Sequence, residues 1–445
     1  MTDTIRIKKG LDIPLQGKAE GEPITDTLTQ TFGIVPDDFP GIKWKAAVKA
    51  GEKVLVGSPL LCDKESGRIM LVSPVAGTVT EVRRGERRRI LAVVVRKEGE
   101  QLHHRSATGR PSSAEEIRLA LQSSGLWAWM RERPFDVVPD AESTPRDIFV
   151  TAFDSAPLAP SLLDGLDNSE IQAGVDAMRT LTDGEIHIGL PAGSSLNLNG
   201  TVCTVFDGPH PAGNAGTQIA ALRPVNKGET VWTMDIVTLA KIGHLMLTGE
   251  ADFSTVVAVT GPAALLHRNI RTTVGASLAS LLKEELPEDT EHTRVVSGNA
   301  LTGVRVSATN GFLRFPYRQI TLLPEGDDAD EFMGWASMSP KKFSVKRTFP
   351  AFLRGKGALF PFDSRIKGGR RAMILSGEYD RVFPFDIYPE YLLKAIMAFD
   401  IDRMEQLGIY EVAPEDFALP EFVDTSKLEL QKIVREGLDR LREEL

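Results

Sequence analysis

The chain has 445 residues, 42% of them hydrophobic and 25% charged, a globular composition too long for one core. Its formal net charge of −9 argues against nucleic acid as a main partner. Two cysteines, Cys62 and Cys203, are too few for an iron–sulfur cluster or a disulfide framework, so a reducing compartment is expected. No apolar run approaches about 18 residues, and the segment from Met1 to Ile7 lacks the apolar core of a signal peptide. Neither a membrane-crossing helix nor an export signal is therefore expected.

Residues 1–100 read as short apolar strands, at 54–61, 73–79 and 90–95, separated by glycine and proline turns. That pattern predicts a small barrel or sandwich. The run from Ser73 through Pro74 and Gly77 to Val79 resembles the half-motif of biotinyl and lipoyl carrier domains. Lys64 stands too far from Pro74 for the carrier hairpin, so an unmodified barrel-sandwich hybrid is expected. Arg83, Arg84, Arg87, Arg88 and Arg89 form the one strong basic cluster. It reads as a solvated hairpin tip or as a contact with an anionic membrane or a partner. A polar linker with Gly109 and Pro111 spans 98–113. Ser113 and Glu116 then make a capping box, Ile117, Ala120 and Leu121 follow at helical spacing, and Gly125 ends the helix.

From 147 to 260 strands and helices alternate. Strands are predicted at 147–151, 185–190, 201–205 and 254–260. A helix face is marked by Ile171, Val175, Met178 and Leu181, and a second helix spans 235–248. This alternation predicts a parallel sheet with covering helices, a Rossmann-like domain over 112–260. Gly261 and Pro262 open a smaller unit over 261–330, with a strand, glycine turn and helix at 270–282. An irregular β-containing segment is expected over 331–387. A helical domain follows over 388–445, with helices at 391–399, 402–408 and 428–445. The whole is an α/β multidomain chain.

The most specific local motif is the loop holding Gly208, Pro209, His210, Pro211, Gly213 and Gly216, between a strand and a helix. Glycines at a strand exit permit tight turning and close approach. The spacing is not Gly-x-Gly-x-x-Gly, so no dinucleotide fingerprint is read. Two prolines fix the backbone around His210, whose imidazole suits a quinone carbonyl or a partner's acceptor. The alternative is a rigid loop packed at a domain junction. Trp127 and Trp129 alternate beside Arg131 and Arg133, residue types enriched at interface hot spots, against the alternative of a core-facing pair. A proline-broken apolar region contains Trp335, Ser337, Met338, Phe349, Phe352, Leu353, Phe360 and Phe362. Lys341, Lys342, Lys346, Arg347, Arg354 and Lys356 intersperse it. Such a region suits a contact with a membrane or another subunit, or an irregular domain with a solvated rim.

The segment from Ser124 to Phe135 resembles the helix end that leads into the FMN loop of two families, the NADH-binding flavoprotein of complex I and the C subunit of the Rnf complex. Those families have a glycine-rich loop there, and this chain has Trp127, Trp129 and Met130. The region from Ile270 to Gly303 is similar to their soluble-ligand-binding β-grasp module. The tail resembles their ferredoxin-like region without its cysteines. Ile7 to Pro14, Gly17, Lys18 and the His210 loop together resemble the A-subunit family of sodium-translocating NADH:quinone oxidoreductases, nearly end to end. That family often has histidine where Gln218 stands, so a role for that imidazole does not carry over. The resemblance implies a peripheral protein on the cytoplasmic face of the bacterial inner membrane. It implies a complex of six subunits, with the membrane-embedded B subunit as neighbour and ubiquinone as substrate. NADH, FAD, FMN, riboflavin and iron–sulfur centres would be handled by other subunits, and this chain would bind no cofactor, metal or nucleic acid. The competing readings are an autonomous flavin- or nicotinamide-dependent oxidoreductase and a carrier domain fused to a scaffold.

Overall fold

Alternating apolar runs and glycine-rich turns build a mixed α/β multidomain protein. The structure, a computed structural model, describes residues 3–104, 111, 113–288, 290–329, 331–333, 336, 338–346, 348–355 and 357–444. Gly109, Trp335, Ser337, Arg347 and Lys356 lie outside the described residues.

The first 100 residues supply two small sheets. One orders Thr31–Ile34, Ile90–Lys97, Gly77–Arg84 and Lys53–Val54; the other orders Trp44–Ala46, Pro59–Asp63 and Met70–Val72. The basic cluster is the exposed turn between Gly77–Arg84 and Ile90–Lys97. Lys64 sits exposed in a turn. Cys62 is buried and Cys203 half-buried. Two N-terminal strands leave this unit. Asp3–Arg6 pairs with Val202–Asp207, and Glu20–Thr25 pairs with Arg268–Thr273.

Ser113 and Glu116 form the capping box reciprocally, and Gly125, at φ 83°, ends the helix Ala114–Ser124. Beyond it lies a six-stranded sheet. Its order is Asp3–Arg6, Val202–Asp207, Ile186–Pro191, Asp147–Thr151, Val231–Asp235 and Arg131–Arg133. All pairings are parallel except the last. The chain order reverses between Asp147–Thr151 and Val231–Asp235, and at such a reversal the carboxyl ends of strands part to leave a crevice. Helices Asn168–Arg179 and Ile236–Thr248 cross on this sheet through Gly174 and Gly243, where a Cβ would strike the other helix's backbone.

The strand Ser254–Thr260, expected in the parallel sheet, belongs to a second one. There it pairs with Arg268–Thr273 and Gln319–Pro324. A valine-rich strand buried on both faces fits either sheet, so its composition does not choose. Thr293–Ser297 and Val304–Val306 complete this sheet. The β character expected over 331–387 is absent among the described residues, apart from one bridge between Leu15 and Phe360. Prolines and glycines leave irregular chain and short 3-10 turns there instead. The tail folds as helices Pro389–Ala398, Ile401–Gln406, Ala418–Val423 and Leu430–Glu444 around a core of its own that includes Phe383, Phe385, Leu392 and Phe417.

Candidate functional site

The His210 loop is built by close approach. Gly208 turns the chain away from Val202–Asp207 with its Cα pressed on the backbone of Ile7, at φ +153°. Asp12 Oδ1 accepts a hydrogen bond from the His210 backbone N–H at 2.9 Å. Ser155 Oγ accepts from the Gly213 N–H at 2.8 Å and lies 3.0 Å from His210 Nδ1. When the Ser155 hydroxyl donates to Nδ1, the imidazole proton sits on Nε2. Among the described residues nothing hydrogen-bonds Nε2. Burial holds the His210 pKa down to about 4, so the ring is neutral at pH 7. A Cβ on Gly213 would lie 2.6 Å from Ser155 N and would break this arrangement.

Gly216 answers a different need. It opens the helix Ala215–Leu222, whose cap Asn214 makes no side-chain hydrogen bond. The Asp416 carboxylate rests where a Gly216 side chain would be. A carboxylate at a helix N-terminus meets the positive end of its dipole. The close approach expected of Gly216 is thus made by the chain's own tail.

A cavity of about 460 Å³ opens where the sheet order reverses. Thr151 and Asp154 follow one strand, Asp235 ends the other, and Glu415 reaches in from the tail. The expected residues His210, Gly213 and Trp129 line it. Gly208, Pro209, Gly216 and Trp127 stand outside its lining, and the two glycines position the loop from behind. Of the two readings of Trp127 and Trp129, a docking pair or a core-facing pair, the structure shows the core-facing one. Trp127 is fully buried, donates from Nε1 to Pro139 O at 2.9 Å and meets Trp232 edge-on at 5.1 Å. Trp129 packs between Phe253 and Phe315 and touches the cavity. Their arginine neighbours are enclosed too, so the charged flanks did not signal solvent.

The cavity is rich in charge, and most of it is compensated. Arg314 pairs with Asp38 at 2.6 Å and Arg318 with Asp235 at 2.8 Å. Arg131 donates to the carbonyls of Ala128, Met130 and Asp38 and lies over the Phe315 ring. Arg133 faces three carboxylates: Glu415 at 2.9 Å, Asp416 at 3.5 Å and Asp136 at 3.8 Å. One guanidinium faces more than one carboxylate here, so the acids compete for its charge. Burial foremost, and the Asp416 charge in addition, push Glu415 up to about 8 against the pull of Arg133. Glu415 is enclosed by protein yet keeps 40% of its side-chain surface accessible, because it faces the cavity. Asp154 is likewise raised by burial, with the Asp235 charge adding to it. Gln218 is buried, with Nε2 3.1 Å from Thr151 Oγ1, and ties its helix to the central strand.

Sequence reasoning missed Ser155, Asp154, Arg133 and Glu415 as members of the site. The adjacent acids Glu415 and Asp416 within an apolar helical tail were the one available signal.

These features define a class: a multidomain α/β scaffold that offers a charge-balanced cavity at a sheet reversal, with no helix among the described residues long and apolar enough to cross a membrane. Family models match three stretches of the chain. They are the NqrA N-terminal barrel-sandwich hybrid domain at 5–98, the NqrA second alpha/beta domain at 112–251 and the NQRA C-terminal domain at 256–308. The A subunit of the Na(+)-translocating NADH-quinone reductase of Serratia proteamaculans is 37% identical over 99% of this chain and 100% of its own length. That of Vibrio atlanticus is 36% identical, again over 99% and 100%. That of Rhodopirellula baltica is 35% identical over 99% and 98%. A solved NAD+-reducing nickel–iron hydrogenase in its H2-reduced state is similar at 12% identity and a TM-score of 0.38, over 76% of this chain and 62% of that one. The chain belongs to the NqrA family, the A subunits of the Na(+)-translocating NADH-quinone reductases.

Proposed function

We propose that the chain serves as a peripheral member of a sodium-translocating NADH:ubiquinone reductase, and that its cavity admits the quinone ring. The observation that carries this reading is the state of the groups in the cavity. His210 presents an uncharged Nε2–H, and Glu415, raised by burial, presents a carboxylic O–H near neutrality. A quinone is an uncharged ring with two carbonyl acceptors, and each such hydrogen bond contributes about 0.5–1.5 kcal/mol net. Trp129 and Phe315 supply apolar surface, and the cavity volume falls within the range of small-molecule sites. Unaided, this protein then binds quinone weakly, and the membrane-embedded B subunit strengthens the binding.

In this reading 112–251 is a Rossmann-like domain, and the second sheet, which takes in Ser254–Thr260, belongs to a β-grasp module. The sheet order and its reversal support the first, and the mixed sheet around Gln319–Pro324 supports the second. FMN does not fit the segment after Gly125. Leu126, Trp127, Ala128 and Trp129 are all buried in the core, and their side chains fill the space a phosphate cradle needs. NADH, FAD, FMN, riboflavin and the iron–sulfur centres belong to other subunits, and this chain sits on the cytoplasmic face of the membrane. The autonomous-oxidoreductase reading is not favoured.

Ubiquinone titration of the purified chain tests the proposal. Trp129 fluorescence falls as quinone enters, and Trp129→Phe loses most of that quenching. Quenching equal in wild type and Trp129→Phe, or none at all, overturns the cavity assignment.

A further inference from the structure

The surface between Phe332 and Met397 departs from the rest of the molecule in charge. In sequence, residues 332–397 hold twelve Lys and Arg against five Asp and Glu, a net +7, while the chain carries −9, which leaves −16 for the remainder. Among the described residues, this stretch of about one seventh of the chain holds thirteen of the twenty-four exposed large hydrophobic side chains. None of its residues lines the cavity.

The helix Pro389–Ala398 organises the surface. Leu392, Leu393 and Ile396 are buried in the tail's core. The outer face repeats every third residue as Tyr388, Tyr391, Lys394 and Met397, with Tyr388 69% exposed and the two tyrosine rings 6.2 Å apart. An ordinary surface helix is polar on its outer face; this one is apolar and aromatic there too. Neighbouring segments are fixed beside it. Glu390 Oε1 accepts from Ser376 N at 2.8 Å and Gly377 N at 3.0 Å, which holds exposed Ile374 and Leu375 at the start of the helix. Lys346 pairs with Glu378 at 3.2 Å and brings exposed Val345 alongside. Lys341, Arg371 and Lys394 are exposed and form no ion pair among the described residues.

We propose that this surface, led by the outer face of Pro389–Ala398, docks on an anionic lipid bilayer. Tyrosines settle at headgroup depth, Lys394 extends its stem along apolar surface toward phosphate, and each cation near such a surface adds to the attraction. Tyrosine, methionine and arginine suit a protein interface as well as a headgroup layer, so it is the positive charge of this segment on an otherwise acidic chain that selects an anionic lipid surface. The inference is independent of the quinone reading, since it uses no cavity residue.

Cosedimentation of the purified full chain with lipid vesicles tests it. Vesicles containing phosphatidylglycerol bind the chain, pure phosphatidylcholine vesicles bind it at least about tenfold more weakly, and added salt weakens the association. Tyr391→Ala combined with Lys394→Glu reduces binding to phosphatidylglycerol vesicles about tenfold while thermal unfolding is unchanged, because both side chains are exposed. Arg87→Glu with Arg88→Glu, at the distant hairpin tip, leaves binding as it was. Absent or equal binding to both vesicle types overturns the proposal, as does loss through the hairpin variant alone. Capture of the chain by a detergent-solubilised membrane protein of the complex, without vesicle binding, assigns the surface to a protein and also overturns it.

Discussion

The cavity and the 332–397 surface use the same kinds of residue, arginine, lysine and aromatic rings, and treat them in opposite ways. In and beside the cavity Arg314, Arg318 and Arg133 are held against carboxylates, and burial lowers the pKa of His210 and raises that of Glu415. On the surface, Lys341, Arg371 and Lys394 have no carboxylate partner among the described residues, and aromatic rings stand in solvent. Removal from water makes an uncompensated charge cost several kcal/mol, whereas an exposed charge needs no partner. Burial, rather than residue type, therefore decides which charges form a tuned site and which remain available to an outside surface.

The largest test of this contrast is Arg133→Met. It strands Glu415, Asp416 and Asp136 without a cation and is expected to cost about 3–5 kcal/mol in denaturant unfolding. A loss below about 1 kcal/mol would mean that the three acids do not depend on that guanidinium. The next effect is set by pH. His210 has a folded pKa depressed to about 4 from 6.5, so the folded state binds this proton less readily than the unfolded one. Its contribution is intact above pH 6.5 and is lost as pH falls through 4, in all about 3 kcal/mol. His210→Asn should flatten the stability profile across that window; an unchanged slope refutes the neutral imidazole.

Gly213→Val comes third. Its Cβ meets Ser155 N, an overpacking cost of about 1–3 kcal/mol. In the assembled complex it is expected to lower quinone reduction at least about tenfold and to spare NADH oxidation by an artificial acceptor. If both activities keep their wild-type ratio in an intact complex, the loop has no special link to the quinone step. Glu415→Gln acts more gently and in the opposite pH sense to His210. The raised Glu415 pKa favours the folded state below 4.5, and that advantage is lost as pH rises through about 8. The amide should therefore make the variant's stability less sensitive to pH between those values, as read by thermal unfolding in a buffer series. Smallest of all, Lys341→Ala should shift stability by less than about 0.5 kcal/mol, since its side chain is exposed and without an ion pair among the described residues.

Much of the fold was legible because its signals are local. Ser113 with Glu116, the strand Asp147–Thr151 and the helix capped by Asp235 all lie where the sequence placed them. Val231–Asp235 was missed because Trp232 and Met234 break any alternation, and without that strand the sheet reversal was invisible. The partners of Asp3–Arg6 lie some 200 residues away, beyond any periodicity. The site was half legible. Glycine and proline announce a constrained backbone, so Gly213 and His210 stood out. The Arg133 cluster did not, because it joins residues 282 and 283 positions apart. Trp127 and Trp129 stayed open between docking and core because the charge of Arg131 and Arg133 suggested solvent, whereas Arg133 is buried and Arg131 half-buried.

The seat of Asp416 on Gly216 has a consequence for the order of biosynthesis. A ribosome releases the His210 loop some 200 residues before the carboxylate that braces its helix. Through that interval the loop lacks its lid, and the nascent cavity is open on the side that Glu415 will later close. The wall is finished from the tail, so a chain cut short after the second sheet would carry every glycine of the loop and still lack Pro414, Glu415 and Gln431 of the cavity lining.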